Sequence, residues 1–381
     1  MALTILLILA VLWLAWSNGA NDNFIGVATL YGSRTCTYRA ALIWATVATG
    51  AGALISVSFA HLLVARFSGA GLIEEGFVGL ELLAAVALAA AITKWLATRL
   101  GMPASTTHAL TGGLLGAALV ANPLGIAWSH LLAGFLLPLA LSIVLAVALT
   151  LPLYLLLHRA RRATGVSHET CVCVGQAAPQ PATILADGRV QFHQAAEGPG
   201  RSLTLAVDDV DACVQRYAGR VVGVRAQTMV DAMHYLSAGS VCFARAVSDT
   251  PKIAALLLAG AAAGLPLGAG ASLVLVTAAM LLGGWFFARR VAETMSRRIT
   301  DLNPGQGLAA NLVTAGLVLF ASRLGLPVST TQVACGSIFA IGLANGNVRQ
   351  HGPTIVQIGL TWLVTLPLGL ALGAAGMWLI S

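Results

Sequence analysis

Long apolar blocks alternate with short polar joints along the chain. The blocks run for roughly 18 to 30 residues, the length that carries a helix across about 30 Å of hydrocarbon. The pattern predicts spans near 2–17, 40–64, 76–98, 104–121 and 128–157, and a second set near 236–258, 264–288, 306–322, 328–345 and 354–380. The first block, Ala2 to Trp16, has no basic segment before it and runs into Asn18-Gly19-Ala20-Asn21-Asp22 where a small-residue cleavage site would stand. It is expected to stay in place as the first span.

From His158 to about Met233 no block reaches span length. This interval opens with Arg159, Arg161 and Arg162 and then alternates in the manner of strands around Asp187-Gly188, a type I′ hairpin signal. The expected architecture is an all-α polytopic membrane protein with a small β-rich inserted domain: membrane repeat 1 over 1–157, the insert over 158–233 and membrane repeat 2 over 234–381.

The halves are related in sequence. Ala97-Thr98-Arg99-Leu100-Gly101-Met102-Pro103-Ala104-Ser105-Thr106-Thr107 returns as Ala321-Ser322-Arg323-Leu324-Gly325-Leu326-Pro327-Val328-Ser329-Thr330-Thr331, an offset of 224 (329 minus 105). Five spans per half is an odd number, so the second half enters the membrane from the opposite side and the repeat is inverted. The charges agree with this. The joint between spans two and three carries Glu74 and Glu75 in the first half but Arg289, Arg290, Arg297 and Arg298 in the second, which places the latter in the cytoplasm. Both termini are then expected outside and the insert inside.

Composition strengthens the membrane assignment. The chain is 58% hydrophobic and 9% charged, against about 25% charged in soluble domains. Its net charge of +7 sits largely in the joints, where it orients the chain and calls for no nucleic acid. Cys36, Cys171, Cys173, Cys213, Cys242 and Cys335 have the spacing of neither a disulfide framework nor a paired zinc site. Cys171-Val172-Cys173 beside His168 is read as two thiols on one face of a strand and not as a metal site.

The chemistry lies in the duplicated Gly-x-Pro-x-Ser-Thr-Thr. Gly and Pro interrupt an apolar segment at membrane depth, which is tolerated only where protein or a wet cavity satisfies the backbone. A helix restarting there presents free N–H groups and a positive dipole end, and Ser105, Thr106, Thr107, Ser329, Thr330 and Thr331 can add hydroxyl donors. Two such ends brought together would cradle a tetrahedral oxyanion. The competing reading is that these hydroxyls only cap helices or bond to the preceding turn. Duplication beside Gly/Pro breaks favours a substrate site.

A second polar stretch, Asn18 to Asn23, interrupts the first apolar block, and a carboxylate such as Asp22 is costly there without a cation, a proton or a donor. Its counterpart 227 residues on (249 minus 22) is Ala246-Val247-Ser248-Asp249-Thr250-Pro251-Lys252, expected to be a second break with an aspartate. Lys252 either stands in for a bound cation beside Asp249 or snorkels from an outer helix end to water. His108 is either a proton carrier or a neutral packing residue.

Gly19-Ala20-Asn21-Asp22-Asn23 and Pro103-Ala104-Ser105-Thr106-Thr107-His108 resemble the two signatures of the inorganic phosphate transporter (PiT) family, ion-coupled symporters whose relatives include sulfate permeases. The resemblance covers both membrane halves and leaves out the insert. It implies that Ser105, Thr106, Ser329, Thr330, Asp22 and Asp249 line a phosphate site, with Thr107, Thr331 and Lys252 beside it. Asn21, Asp22, Asn23, Asp249 and His108 are the candidates for holding a coupling cation, Na+ or H+. A homodimer in the bilayer is also implied. The second signature is degraded to Ala246-Val247-Ser248-Asp249, Gln332 replaces a second histidine, and Thr49 stands near a position where many members carry glutamate. These departures bear on sodium coupling more than on anion transport.

The implied function is secondary active symport of inorganic phosphate by alternating access. The alternatives are a sulfate permease of the same architecture and an anion channel, which would need a continuous pore. A carboxylate that accepts a proton favours phosphate over sulfate. No nucleophile with its base, P-loop or metal cluster appears, so neither enzymatic activity nor a cofactor is expected.

Overall fold

A computed structural model describes residues 1–69, 71–74, 77–165, 169–176, 183–184, 190–191, 203–209, 222–346 and 348–381. The chain is mostly helical and divides into two compact units, residues 1–155 with 234–381 and residues 156–233.

In the first half of the larger unit, α1 (Ala2–Asp22) is followed by a short α2 (Ala28–Gly32), α3 (Tyr38–Phe59), α4 (His61–Phe67), α5 (Leu80–Leu100) and α6 (Thr106–Ala121). Next comes α7 (Trp128–Leu131), continued through a π-helical turn at Leu132–Leu136 into α8 (Leu137–Thr164). The second half contains α9 (Ala226–Ala262), α10 (Ala269–Phe287), α11 (Arg289–Glu293) with a π turn at Thr294–Arg298, α12 (Pro304–Arg323), α13 (Thr330–Ala344) and α14 (Val348–Ile380). Among the described residues seven helical stretches are long and apolar enough to cross a membrane, and α6 and α13 are shorter apolar helices.

The smaller unit carries β1 (Thr170–Gln176), β2 (Thr183–Ile184), β3 (Val190–Gln191), β4 (Leu203–Asp209) and β5 (Val222–Arg225). β1 is the centre of an antiparallel sheet of order β4-β1-β5, and β2 pairs with β3. Cys171 and Cys173 lie on one face of β1, as period-2 alternation requires, with both side chains buried and their Sγ atoms 3.1 Å apart. Among the described residues no metal-binding cluster occurs. Glu75, His168, Asp187-Gly188 and Cys213 lie outside the described residues.

Two expectations about helix breaks need correction. α1 does not stop near Trp16 but continues through Asp22, and the chain leaves the helix only over residues 23–27. Ala246–Lys252 is no break at all, because α9 runs unbroken through Pro251. Proline removes one N–H, a loss that membrane helices tolerate when they are packed on all sides. Residues 246–257 of α9 are all buried.

The two true breaks share one local design. Gly101, at φ 70°, ends α5 by donating its N–H to Thr98 O, while Met102 N–H bonds Ala97 O. Gly325, at φ 66°, makes the same closure with Ser322 O, and Leu326 N–H bonds Ala321 O. Glycine takes the left-handed cap without a Cβ clash, and Pro103 and Pro327 keep the helix from continuing. Each chain then restarts at a serine cap: Ser105 Oγ accepts from His108 N–H and Ser329 Oγ from Gln332 N–H, both at 3.2 Å.

Close helix contacts use small residues in place of a hydrophobic drive, which lipid does not supply. Gly19 of α1 sits against the Met280 carbonyl of α10, and Gly112 and Gly116 of α6 sit against the Leu366 and Leu370 carbonyls of α14. These packings set α1 and α6 deep in the bundle, where their polar residues meet.

Candidate functional site

The site is assembled from the C-terminal end of α1, the middle of α5 and α9, and the first turns of α6 and α13. Five formally charged side chains are buried among the described residues: Asp22, Lys94, Arg245, Asp249 and Lys252, each no more than 3% exposed. Three cations against two carboxylates leave one excess positive charge in a region where unpaired charge is expensive. Asn18 joins the two halves of the network, its Nδ2 donating to Asp22 Oδ2 at 3.0 Å and Asp249 Oδ2 at 3.2 Å.

Asp22 Oδ2 also accepts from Lys94 Nζ at 2.7 Å and from Thr106 Oγ1 at 3.0 Å. Asn21 closes the first backbone break: its Nδ2 donates to Met102 O at 3.0 Å and its Oδ1 accepts from Ala104 N–H at 3.0 Å. Lys94 Nζ completes that patch on Ala104 O. Lys252 Nζ meets Asp249 Oδ1 at 3.2 Å, Thr107 Oγ1 at 2.9 Å and Val328 O at 3.1 Å. It is wholly buried, so the snorkelling alternative is overturned: mid-helix in α9, its Nζ faces the second break and not an outer end. Asp22 is likewise buried, 1% exposed, with a cation and hydrogen-bond donors around it.

Across the centre the two restarted helices exchange bonds. Thr107 Oγ1 donates to Val328 O at 3.0 Å, and Thr331 Oγ1 donates to Ala104 O at 3.3 Å. Thr107 and Thr331 are 224 residues apart, as are Ala104 and Val328. Thr330 Oγ1 is buried without a hydrogen-bond partner. Ser105 and Ser329 serve as caps, and His108 Nδ1 lies 2.7 Å from Ser105 Oγ, so His108 is tied to the cap of its own helix.

Lys94 and Arg245 were not picked out from the sequence, and Asn18 stood out only as part of the polar stretch Asn18 to Asn23, with no role assigned. Arg245 donates to Asn18 Oδ1 at 3.0 Å, Thr49 Oγ1 at 3.0 Å and Asn23 Oδ1 at 3.5 Å, all neutral, and forms no ion pair among the described residues. Its Nε is buried with no partner. The signal was there: a lysine or arginine inside an apolar span is a functional candidate by default. Thr49 joins the network as an acceptor for Arg245 and a donor to Asn23 Oδ1 at 2.8 Å.

A cleft of about 540 Å³ opens between α5 and the α10–α11 end, lined by Trp95, Thr98, Arg99, Arg289 and Arg290 among others. Thr98 links it to the buried network, because Thr98 Oγ1 accepts from Asn21 Nδ2 at 3.0 Å. The cleft therefore has a basic rim and a floor one hydrogen bond from Asp22's neighbour.

Residues 18–373 match the phosphate transporter family PHO4. The chain belongs to the phosphate transporter family. It is 27% identical over 97% of its length to the inorganic phosphate transporter 2-1, chloroplastic, of Arabidopsis thaliana, covering 70% of that protein. It is 28% identical over 98% of its length to a Mycobacterium tuberculosis protein named "Probable low-affinity inorganic phosphate transporter", covering 76% of it. A solved structure titled "The sodium-dependent phosphate transporter" superposes with a TM-score of 0.75, over 100% of this chain and 99% of that one, at 24% identity. At that identity the likeness speaks to the fold. This phosphate transporter family member is thus a multi-pass membrane protein with a charged network at the meeting point of two Ser-Thr-Thr helix starts.

Proposed function

We propose that the chain carries inorganic phosphate across the membrane as a secondary active symporter, moving it with a cation, sodium or a proton, by alternating access. The observation that carries this reading is the excess positive charge of the buried network beside two helix N-termini. An anion entering there meets Arg245, the unpaired Thr330 hydroxyl and two positive dipole ends. Asp22 and Asp249 can accept a proton from a hydrogen phosphate, which sulfate at neutral pH does not carry.

In this reading residues 1–157 and 234–381 are inverted repeats of about five spans, and 158–233 form a cytoplasmic β-rich insert. The reciprocal Thr107 to Val328 and Thr331 to Ala104 bonds support the inversion, since a pseudo-two-fold axis relates each to the other. The termini lie outside, the Arg99/Arg289/Arg290 cleft faces the cytoplasm, and two copies pair in the bilayer. Ser105, Thr106, Thr107, Ser329, Thr330, Thr331, Asp22, Asp249 and Lys252 line the anion site. Asn21, Asn23 and His108 hold its first half in place.

The test is uptake of radiolabelled phosphate into proteoliposomes with excess unlabelled sulfate as competitor, and with internal unlabelled phosphate to look for counterflow. Uptake that resists sulfate and is accelerated by internal phosphate is the expected result. Inhibition by sulfate, or entry of labelled sulfate, overturns the substrate. Flux without counterflow overturns the carrier in favour of a channel.

A further inference from the structure

A sodium ion in a carrier of this fold would need carboxylate, carbonyl and hydroxyl oxygens converging on one point. Two such points exist in the network. Asp22 Oδ2, Asn21 Oδ1 and Ala104 O converge at 2.7, 3.1 and 2.6 Å, and Asp249 Oδ1, Thr107 Oγ1 and Val328 O converge at 3.2, 2.9 and 3.1 Å. At the centre of the first is Lys94 Nζ and at the centre of the second is Lys252 Nζ. An ammonium group has three N–H donors, so each is saturated by its three oxygens. Both lysines are wholly buried.

The two nests are counterparts. Ala104 and Val328 are 224 residues apart, and Asp22 and Asp249 are 227 apart. The lysines that fill them are not: 94 plus 224 is Val318, and 252 minus 227 is Ile25. A repeat-related pair of oxygens, an aspartate and a break carbonyl, is therefore met twice, from unrelated helix positions, by the same chemical group, with the third oxygen differing between Asn21 Oδ1 and Thr107 Oγ1. The shared element is a cation against an aspartate and a break carbonyl, whatever chain position supplies it.

We propose that the ammonium groups of Lys94 and Lys252 are tethered cations that take the two places a sodium ion would need beside Asp22 and Asp249, so that phosphate uptake by this chain does not require sodium. The residues present do not fit a sodium ion: a second cation in either nest would have to displace Nζ from a buried carboxylate. A covalently held cation stays at full local concentration whatever the bathing salt. The charge beside the anion is then fixed, and of the two coupling cations of the carrier reading the proton is left to drive uptake. This inference rests on the phosphate-carrier reading for its transport consequence, but not for its binding consequence.

The experiment pairs the two. Labelled phosphate uptake by the wild-type protein in proteoliposomes is compared in sodium and in choline media at one pH, and again with an imposed pH gradient. Equilibrium binding of 22Na+ is measured on the purified wild-type, Lys94→Ala and Lys252→Ala proteins in detergent. The expected result is uptake equal within about twofold in sodium and choline, with no saturable 22Na+ binding to wild type. Saturable 22Na+ binding should appear in the alanine proteins that elute as single species. Loss of uptake in choline, or saturable 22Na+ binding to wild type, overturns the proposal and leaves the phosphate carrier standing. A well-folded alanine variant that binds no 22Na+ overturns the identification of its nest as a cation place. If phosphate neither binds nor enters in any medium, the carrier reading has failed, and the 22Na+ binding still decides the lysine assignment. If neither variant folds, the two wild-type measurements decide it.

Discussion

Replacing Arg245 with methionine should separate stability from function. The guanidinium is buried and faces only neutral acceptors. Burying an ion costs several kcal/mol after relaxation, and hydrogen bonds to a charged donor return about 1.5–3 kcal/mol each. Two of the three bonds are of good length, so the residue roughly breaks even or is a net cost to the folded state. Methionine fills a similar volume and removes the charge. It leaves Asn18 Oδ1 without its donor, a penalty of about 1–3 kcal/mol, while Asn23 Oδ1 keeps the Thr49 bond. The net change in stability should lie within about 2 kcal/mol of zero, a Tm shift of a few degrees at most. Phosphate, by contrast, would meet a neutral network and not one bearing an excess positive charge. Truncating one partner of a buried charge pair costs about 2–5 kcal/mol, so phosphate binding should weaken by about 30-fold or more. Calorimetric binding and thermal unfolding on the same preparations measure both, with Arg245→Lys expected to recover part of the affinity. A Tm drop of more than about ten degrees with phosphate affinity unchanged would show that Arg245 is a strut and refute its assignment to the anion.

Thr330→Val removes a buried hydroxyl with no partner and should leave unfolding unchanged or slightly improved, while phosphate uptake falls about tenfold. Unchanged uptake would take Thr330 out of the site. Asn21→Leu strips the donor from Met102 O and the acceptor from Ala104 N–H. With two orphaned backbone groups it should cost about 2–5 kcal/mol, read as a lower Tm and earlier proteolysis. Gly116→Val drives a side chain into the Leu370 carbonyl and should separate α6 from α14. Gly268→Ala, with open space around the new methyl group and an ordinary φ, is its control.

Seven of the ten expected spans are helices long and apolar enough to cross a membrane among the described residues, because hydropathy over about twenty residues is a strong signal; 104–121 and 328–345 are shorter apolar helices, and 236–258 lies in α9 without reaching that apolarity. The Gly-x-Pro-x-Ser-Thr-Thr breaks were legible because glycine, proline and a capping serine each have a local cause. The break expected at Ala246–Lys252 was not real. Asp249-Thr250-Pro251-Lys252 mimics a turn, yet here each residue is buried within α9, and tertiary context overrides local propensity. Two of the five charged residues of the network were missed because Lys94 and Arg245 do not recur at the repeat offsets. The duplicated motif drew attention to what is shared between the halves, whereas the cations that neutralise the aspartates come from positions that are not shared. Periodicity and repetition locate a scaffold, but charge balance has to be counted residue by residue within each span.

The reciprocal threonine bonds set a condition on how any rocking motion proceeds. Thr107 and Thr331 each donate to a carbonyl in the opposite half, and those carbonyls also accept from Lys252 and Lys94. An anion that draws the two hydroxyls toward itself leaves each carbonyl with its lysine donor, so neither break becomes unsatisfied. Two neutral hydrogen bonds worth about 0.5–1.5 kcal/mol each are exchanged for bonds to a charged acceptor worth about 1.5–3 kcal/mol each. The exchange is therefore favourable by a small margin, enough to loosen the link between the halves without stranding backbone groups. In this arrangement the lysines make the loosening reversible: with Lys252→Met, withdrawal of Thr107 would leave Val328 O without both of its side-chain donors, and the energetic advantage of opening around the anion would be lost.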